Sequence, residues 1–233
     1  NVNKQINPSN KIGFTIDTYS KDSDIARATG NLSTGYFNYT KQESDIKQTK
    51  NRYIFTWEHD ALDKTNFVDE LKAKIYYQDF ETKDNWNEFQ AEKYFFGRLL
   101  NLDRDVYSRY KLVDDSYGLD LQLGSSIDNH QLTYGLDYSL TENKYSQDKY
   151  TNTNGTISHT YFGTNYPIKR SPDTETKRLG LYIQDEVALG KTDIIYGLRF
   201  DNYKLDAKAD STYLDYCIKD DSTCPVADLD ASS

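Results

Sequence analysis

From Lys11 onward the side chains alternate, with Ile12, Phe14 and Ile16 apolar on one parity and Lys11, Thr15 and Asp17 polar on the other. A period of two sends successive side chains to opposite faces, which marks a strand with one apolar side. The period returns in Tyr53, Phe55 and Trp57, in Leu71, Ala73, Ile75 and Tyr77, and in Tyr117, Leu119, Leu121 and Leu123. It recurs in Leu132, Tyr134, Leu136, Tyr138 and Leu140, then in Leu179, Leu181 and Ile183, and last in Ile194, Tyr196, Leu198 and Phe200. Helical spacing fits none of these, so strands are predicted near residues 11–20, 51–59, 67–79, 108–125, 131–140, 177–187 and 192–205. Pro8, Pro167, Pro172 and Pro225 all fall outside them, as residues without an N–H must in a paired strand.

The connections alternate in length. Residues 60–66, 125–130 and 188–191 read as tight turns, whereas 21–50, 80–107 and 141–176 read as long loops, all at one end, with residue 206 onward trailing off in the same way. A soluble domain rarely carries several structureless loops of that size. Outer-membrane barrels do, with short periplasmic turns, long outer loops and strands that are apolar outside and polar inside. Tyr53, Trp57, Tyr77, Tyr117, Tyr134 and Tyr138 lie on the apolar parity, where amphipathic rings settle at headgroup depth. The predicted fold is all-β: an antiparallel transmembrane β-barrel segment of about seven strands with long extracellular loops, forming one domain over residues 1–233. The same alternation also fits a secreted β-sandwich that binds or adheres through Tyr-rich loops.

Composition favours the barrel. Only 36% of the 233 residues are apolar, yet 21 Tyr, 10 Phe and 2 Trp are present. That is thin for a sandwich core and too aromatic for a disordered acidic chain. A net charge of −9, with the 28 Lys and Arg scattered singly, excludes a nucleic-acid binder, which needs a basic stripe. No apolar run approaches the length of a membrane helix. The chain begins at Asn1 without a charged and apolar leader, so it reads as a processed or internal piece. No nucleophile elbow, phosphate loop or metalloprotease helix occurs, and no enzymatic activity or bound metal is expected.

The wording of the last two strands is specific. Lys177-Arg-Leu-Gly-Leu-Tyr-Ile-Gln-Asp-Glu186 followed by Tyr196-Gly-Leu-Arg-Phe-Asp-Asn-Tyr203 resembles the paired strands of TonB-dependent outer-membrane receptors. The hairpin from Tyr117-Gly-Leu-Asp-Leu to Tyr134-Gly-Leu-Asp-Tyr138 resembles their haem and haemoglobin receptor branch. The resemblance implies a barrel of about 22 strands, closed by an N-terminal plug and energised by the TonB complex through a TonB box, that imports haem or another iron source across the Gram-negative outer membrane. It also implies that the plug, the TonB box and the sequence boxes around a haem-ligand histidine lie outside this chain. Haem is then a transported ligand and no cofactor is built in. The expected partners are outer-membrane lipid, the TonB complex and haem or a haem-carrying protein.

Three histidines exist. His59 and His130 fall at strand ends beside short turns, on the periplasmic rim, whereas His159 lies in a long loop beside Tyr161, Phe162 and Tyr166. Those four are the candidate ligand-binding residues, an imidazole and aromatic rings for a porphyrin. Arg178, Gln184, Glu186, Arg199 and Asp201 are expected to face the lumen, paired across neighbouring strands. Asp185 shares the lipid-facing parity, so it is expected at the periplasmic edge, where a charge costs least. Cys217 and Cys224 are expected to close a small disulfide loop, which implies an oxidising compartment.

Overall fold

The computed structural model describes residues 1–33, 37–61, 68–95, 98–161 and 163–220. In chain order the strands are β1 (Val2–Asn7), β2 (Asn10–Ser33), β3 (Phe37–Asp60), β4 (Glu70–Phe95), β5 (Arg98–Ile127), β6 (His130–Thr153), β7 (Thr156–Ser158), β8 (Thr160–Tyr161), β9 (Thr164–Asn165), β10 (Asp173–Leu189) and β11 (Thr192–Lys208), followed by helix α1 (Ser211–Asp220). One antiparallel meander orders β1-β2-β3-β4-β5-β6-β10-β11, with β7 paired to the outer end of β6 and β8 and β9 forming a separate hairpin. Hairpin turns carry the residues that their geometry demands. Asn154 and Gly155 both have positive φ between β6 and β7, and Gly190 has φ 68° between β10 and β11.

Register turns the apolar parity into a continuous belt. One lateral row runs Ile12, Trp57, Ala73, Leu121, Leu136, Leu181, Phe200, and the next runs Phe14, Phe55, Ile75, Leu119, Tyr138, Leu179. The row beyond carries Ile16, Tyr53, Tyr77, Tyr117 and Leu140. Its rings touch, with centroids 6.3 Å apart for Tyr53 and Tyr77 and 4.9 Å apart for Tyr77 and Tyr117. From Leu132 to Leu140 on β6 the belt spans nine residues, close to the roughly 9–11 that a tilted strand needs to cross hydrocarbon.

This belt is not a folded core. Val106 and Ile168 are the buried hydrophobic residues among those described, while Phe55, Ile75 and Leu181 keep 45%, 56% and 45% of their surface. Among the described residues no second large sheet covers that face, so the sandwich reading gives way to the barrel wall. No helix among them is long and apolar enough to cross a membrane.

The strands differ from expectation in length. Residues 21–50 and 80–107, expected as loops, continue the β2–β3 and β4–β5 ladders, and β6 runs on to Thr153. β5 reaches 30 residues, about 100 Å at a strand's rise per residue, two to three times what the bilayer requires. The reason is solvent. Beyond the lipid both faces meet water, so side-chain polarity stops alternating while the backbone ladder continues. Further elements escaped the pattern: β1, the short β7, β8 and β9 within residues 141–176, and α1 after residue 206.

Candidate functional site

Within the lipid-spanning part, the polar parity forms an inner wall of cross-strand charge pairs. Lys11 reaches Glu58 at 3.1 Å and Lys74 reaches Asp120 at 2.5 Å. Asp201 accepts from Arg199 Nε at 2.8 Å and from Arg178 at 3.3 Å, and Arg199 also reaches Asp137 at 2.7 Å. Gln184 and Glu186 share that parity, opposite Gly197 and Ile195. Tyr76 lies flat over its register partner Gly118, and Tyr182 over Gly135. A Cβ on Gly118 would meet the Tyr76 ring at 2.0 Å, so the glycine is what lets the ring lie down.

Farther out, the same parity supports a compact cluster. Gln90 and Gln147 are buried with Val106. Arg104 Nε donates to Gln90 Oε1 at 2.8 Å, and Gln90 Nε2 donates to the Tyr161 hydroxyl at 3.4 Å. Two cations approach the Tyr161 ring, Lys149 Nζ at 3.7 Å and the Arg104 guanidinium at 5.5 Å from its centroid. Burial pushes the Glu88 carboxyl up, against the opposing charges of Lys149 and Arg104, and burial pushes the Lys149 ammonium down. Beside them Tyr110, Tyr145, Tyr166 and Tyr216 gather around Arg170, and burial raises the Tyr145 and Tyr166 hydroxyls.

The segment after β7 is what folds over this wall. Ile168 exchanges both backbone hydrogen bonds with Gln147, at 2.8 and 2.9 Å, and Lys169 binds Asp173 at 2.9 Å and also Asp210. Asp210 caps α1 by accepting from the Tyr213 N–H at 2.9 Å. Between the segment and α1 opens a cavity of about 490 Å³ lined by Tyr166, Pro167, Ile168, Thr212, Asp215 and Tyr216, within the usual size range of small-molecule sites.

The four candidate ligand residues are therefore divided. Tyr161 and Tyr166 join the inner cluster. His159 stands on the outer face, with Nδ1 3.7 Å from Asp148 and its ring 5.7 Å from Tyr150, which stacks on Tyr107 at 4.7 Å. Phe162 lies outside the described residues. Gln90, Arg104, Lys149 and Arg170 were not singled out from sequence, because they sit where both parities are polar; the continued parity of β4, β5 and β6 is the signal that would have found the first three. At the other end, His130 Nδ1 is 2.7 Å from Asp185, and the Tyr196 hydroxyl donates to Asp185 at 2.6 Å. His59 Nδ1 is 3.0 Å from Asn10 Oδ1, which also accepts from Trp57 Nε1 at 3.1 Å. Cys217 on α1 is disulfide-bonded; Cys224 lies outside the described residues.

A long-stranded antiparallel wall, greasy and ring-banded outside and charged inside, matches over residues 2–223 the family described as TonB dependent receptor-like, beta-barrel. The chain belongs to that family. Members of the family are outer-membrane receptors that transport and are not enzymes, and they work with TonB. No curated protein matches the chain.

Proposed function

We propose that this wall serves the active uptake of haem or another iron complex across the Gram-negative outer membrane, with the ligand first held on the inner face of the extracellular extension. The observation that carries the reading is Tyr161, whose ring is approached by both Lys149 and Arg104 on the lumen parity near the cavity under α1. Haem presents a flat aromatic ring with two carboxylates. Tyrosine rings supply stacking, and Lys149, Arg104 and Arg170 supply the countercharge. Burial lowers the Lys149 pKa, so an incoming carboxylate would bind an ammonium already short of solvent. The TonB complex would energise this uptake. The disulfide at Cys217 fits an oxidising space outside the cell.

Haem titration of the full-length receptor, followed by the Soret band, tests this. Tyr161→Ala combined with Lys149→Ala is expected to weaken binding about tenfold or more, the loss of one desolvated cation–ring contact with its charge. His159→Ala is expected to leave the spectrum unchanged, since His159 faces the other way. A double variant that binds as the parent does, or a spectrum altered by the His159 change alone, overturns the assignment.

A further inference from the structure

Lower down the lumen wall, cations meet carboxylates: Lys11 meets Glu58, Lys74 meets Asp120, and Arg199 meets both Asp137 and Asp201. At Arg104 the wall also uses a neutral acceptor. Arg104 Nε donates at 2.8 Å to Gln90 Oε1, and Arg104 Nη2 donates to the same oxygen. That oxygen belongs to an amide, and the whole Gln90 side chain is buried, at 0% exposure.

The backbone is shaped around this contact. Gln90 and Arg104 are register partners, and the ladders on both sides of Gln90 slip beside it. Tyr39 faces Gln90 while Lys41 faces Phe89, and on the other side Arg104 faces Gln90 while Asn101 faces Glu92. Each of these slips puts one extra residue into the strand next to β4, as a β-bulge does where it re-aims a side chain. Stability alone does not call for an amide at this depth. Val106, the register partner of Glu88 on the same face, is buried and apolar, and replacing a buried polar pair by apolar groups is often neutral or better.

What the amide does differently concerns charge. A carboxylate at position 90 would hold the guanidinium as firmly and cancel its charge within the pair. A neutral carbonyl fixes the guanidinium plane through two N–H donors and cancels none of it. The half-buried carboxylate of the same face is also held by amides: Glu88 accepts from Gln90 Nε2 at 3.5 Å and from Gln42 Nε2 at 3.4 Å. Gln90 therefore orients a cation and an anion without pairing either with an opposite charge of its own. The cation it orients is the one that stands 5.5 Å from the centre of the Tyr161 ring, whereas its bond to the Tyr161 hydroxyl, at 3.4 Å, is the longer contact.

We propose that Gln90 is the positioning residue of the ligand site: its amide orients Arg104 for an anionic group of the ligand and leaves the guanidinium charge for that group. The inference rests on the uptake reading above and deepens it, because it assigns the preference for an anionic over a neutral ligand to an uncharged side chain.

The test uses the full-length receptor with haemin as the probe, followed at the Soret band, and chemical unfolding in micelles as the control on the fold. Gln90→Glu keeps an acceptor for Arg104 and is expected to hold the unfolding midpoint near that of the parent, yet to weaken haemin binding about tenfold, the loss of one charge-assisted contact. Gln90→Met, of similar length, removes the acceptor and is expected to weaken binding by about the same factor with a lower midpoint. In an Arg104→Ala background neither change is expected to weaken binding further. A purely structural Gln90 would make affinity follow the midpoint, so a Gln90→Glu variant that binds haemin as the parent does overturns the positioning role and leaves the uptake reading standing. A loss of the same size with and without Arg104 overturns it as well. A parent protein that binds no haemin overturns both.

Discussion

The Lys149 ammonium lies 3.7 Å from the centre of the Tyr161 ring, on the opposite side of β6 from the nearby His159. Because the contact depends on the ring and not on the hydroxyl, Tyr161→Phe and Tyr161→Ala separate the two contributions. Phe is expected to keep ligand affinity within about twofold, and Ala to lose about 3- to 30-fold, the range for a partly desolvated cation–π contact. Equilibrium titration of the two full-length variants checks this. Equal losses would place the role on the hydroxyl and its contact with Gln90.

Tyr76 and Gly118 make a second matched pair, on the lumen side of the barrel. Arg52 lies 5.0 Å and Lys74 5.4 Å from the centre of the Tyr76 ring, so the ring has little freedom to lift away. Gly118→Ala is expected to cost about 1–3 kcal/mol, the usual penalty for overpacking. In a Tyr76→Ala background the same change is expected to cost much less. A double-mutant cycle on chemical unfolding midpoints in micelles reads the coupling.

How far the chain could be read from sequence follows the position of the lipid. Where one face meets hydrocarbon, as from Leu132 to Leu140, polarity alternates and the strand is visible. Where neither face meets lipid, as across Thr82 and Asp84 opposite Glu81, Lys83 and Asn85, the ladder persists but the signal does not. The site lies in that silent region. Tyr161 was found by its aromatic character, whereas Arg104 and Lys149 look like ordinary surface cations until register brings them to the same ring. His159 sits close to Tyr161 in sequence, yet the chain between them crosses from one face to the other, and sequence proximity alone carries no sign of that crossing.

Glu175, just above the tyrosine row, gives a pH signature. Hydrogen bonds from Lys177 and Lys208 hold its carboxyl down from 4.5 to about 2. A depressed acid stabilises the fold above its unfolded value and loses that contribution as pH falls through its folded value. The Glu175 contribution is therefore expected in full above about pH 4.5 and to fade between there and about pH 2. Unfolding midpoints of parent and Glu175→Gln, compared across that window, are expected to differ at neutral pH and to converge at its acid end. A constant difference across the window would assign the stabilisation to packing instead of charge.

Asp185 is a carboxylate only 6% exposed on the lipid-facing parity, four residues before β10 ends at Leu189. Its position near the turn keeps it away from the bilayer midplane, where a charge costs most, and Tyr196 and His130 supply hydrogen bonds at 2.6 and 2.7 Å. Removing a partner from a buried acceptor costs more than the bond itself contributes, because the acceptor is left dry and unsatisfied. Tyr196→Phe alone is accordingly expected to lower stability by about 1–3 kcal/mol. Adding Asp185→Leu to that variant removes the stranded acceptor and is expected to recover most of the loss, since apolar replacement of a buried polar pair is often close to neutral. Unfolding in micelles measures both steps. A double variant no more stable than Tyr196→Phe would mean that Asp185 is held there for His130 and the neighbouring turn, and not for the bond to Tyr196.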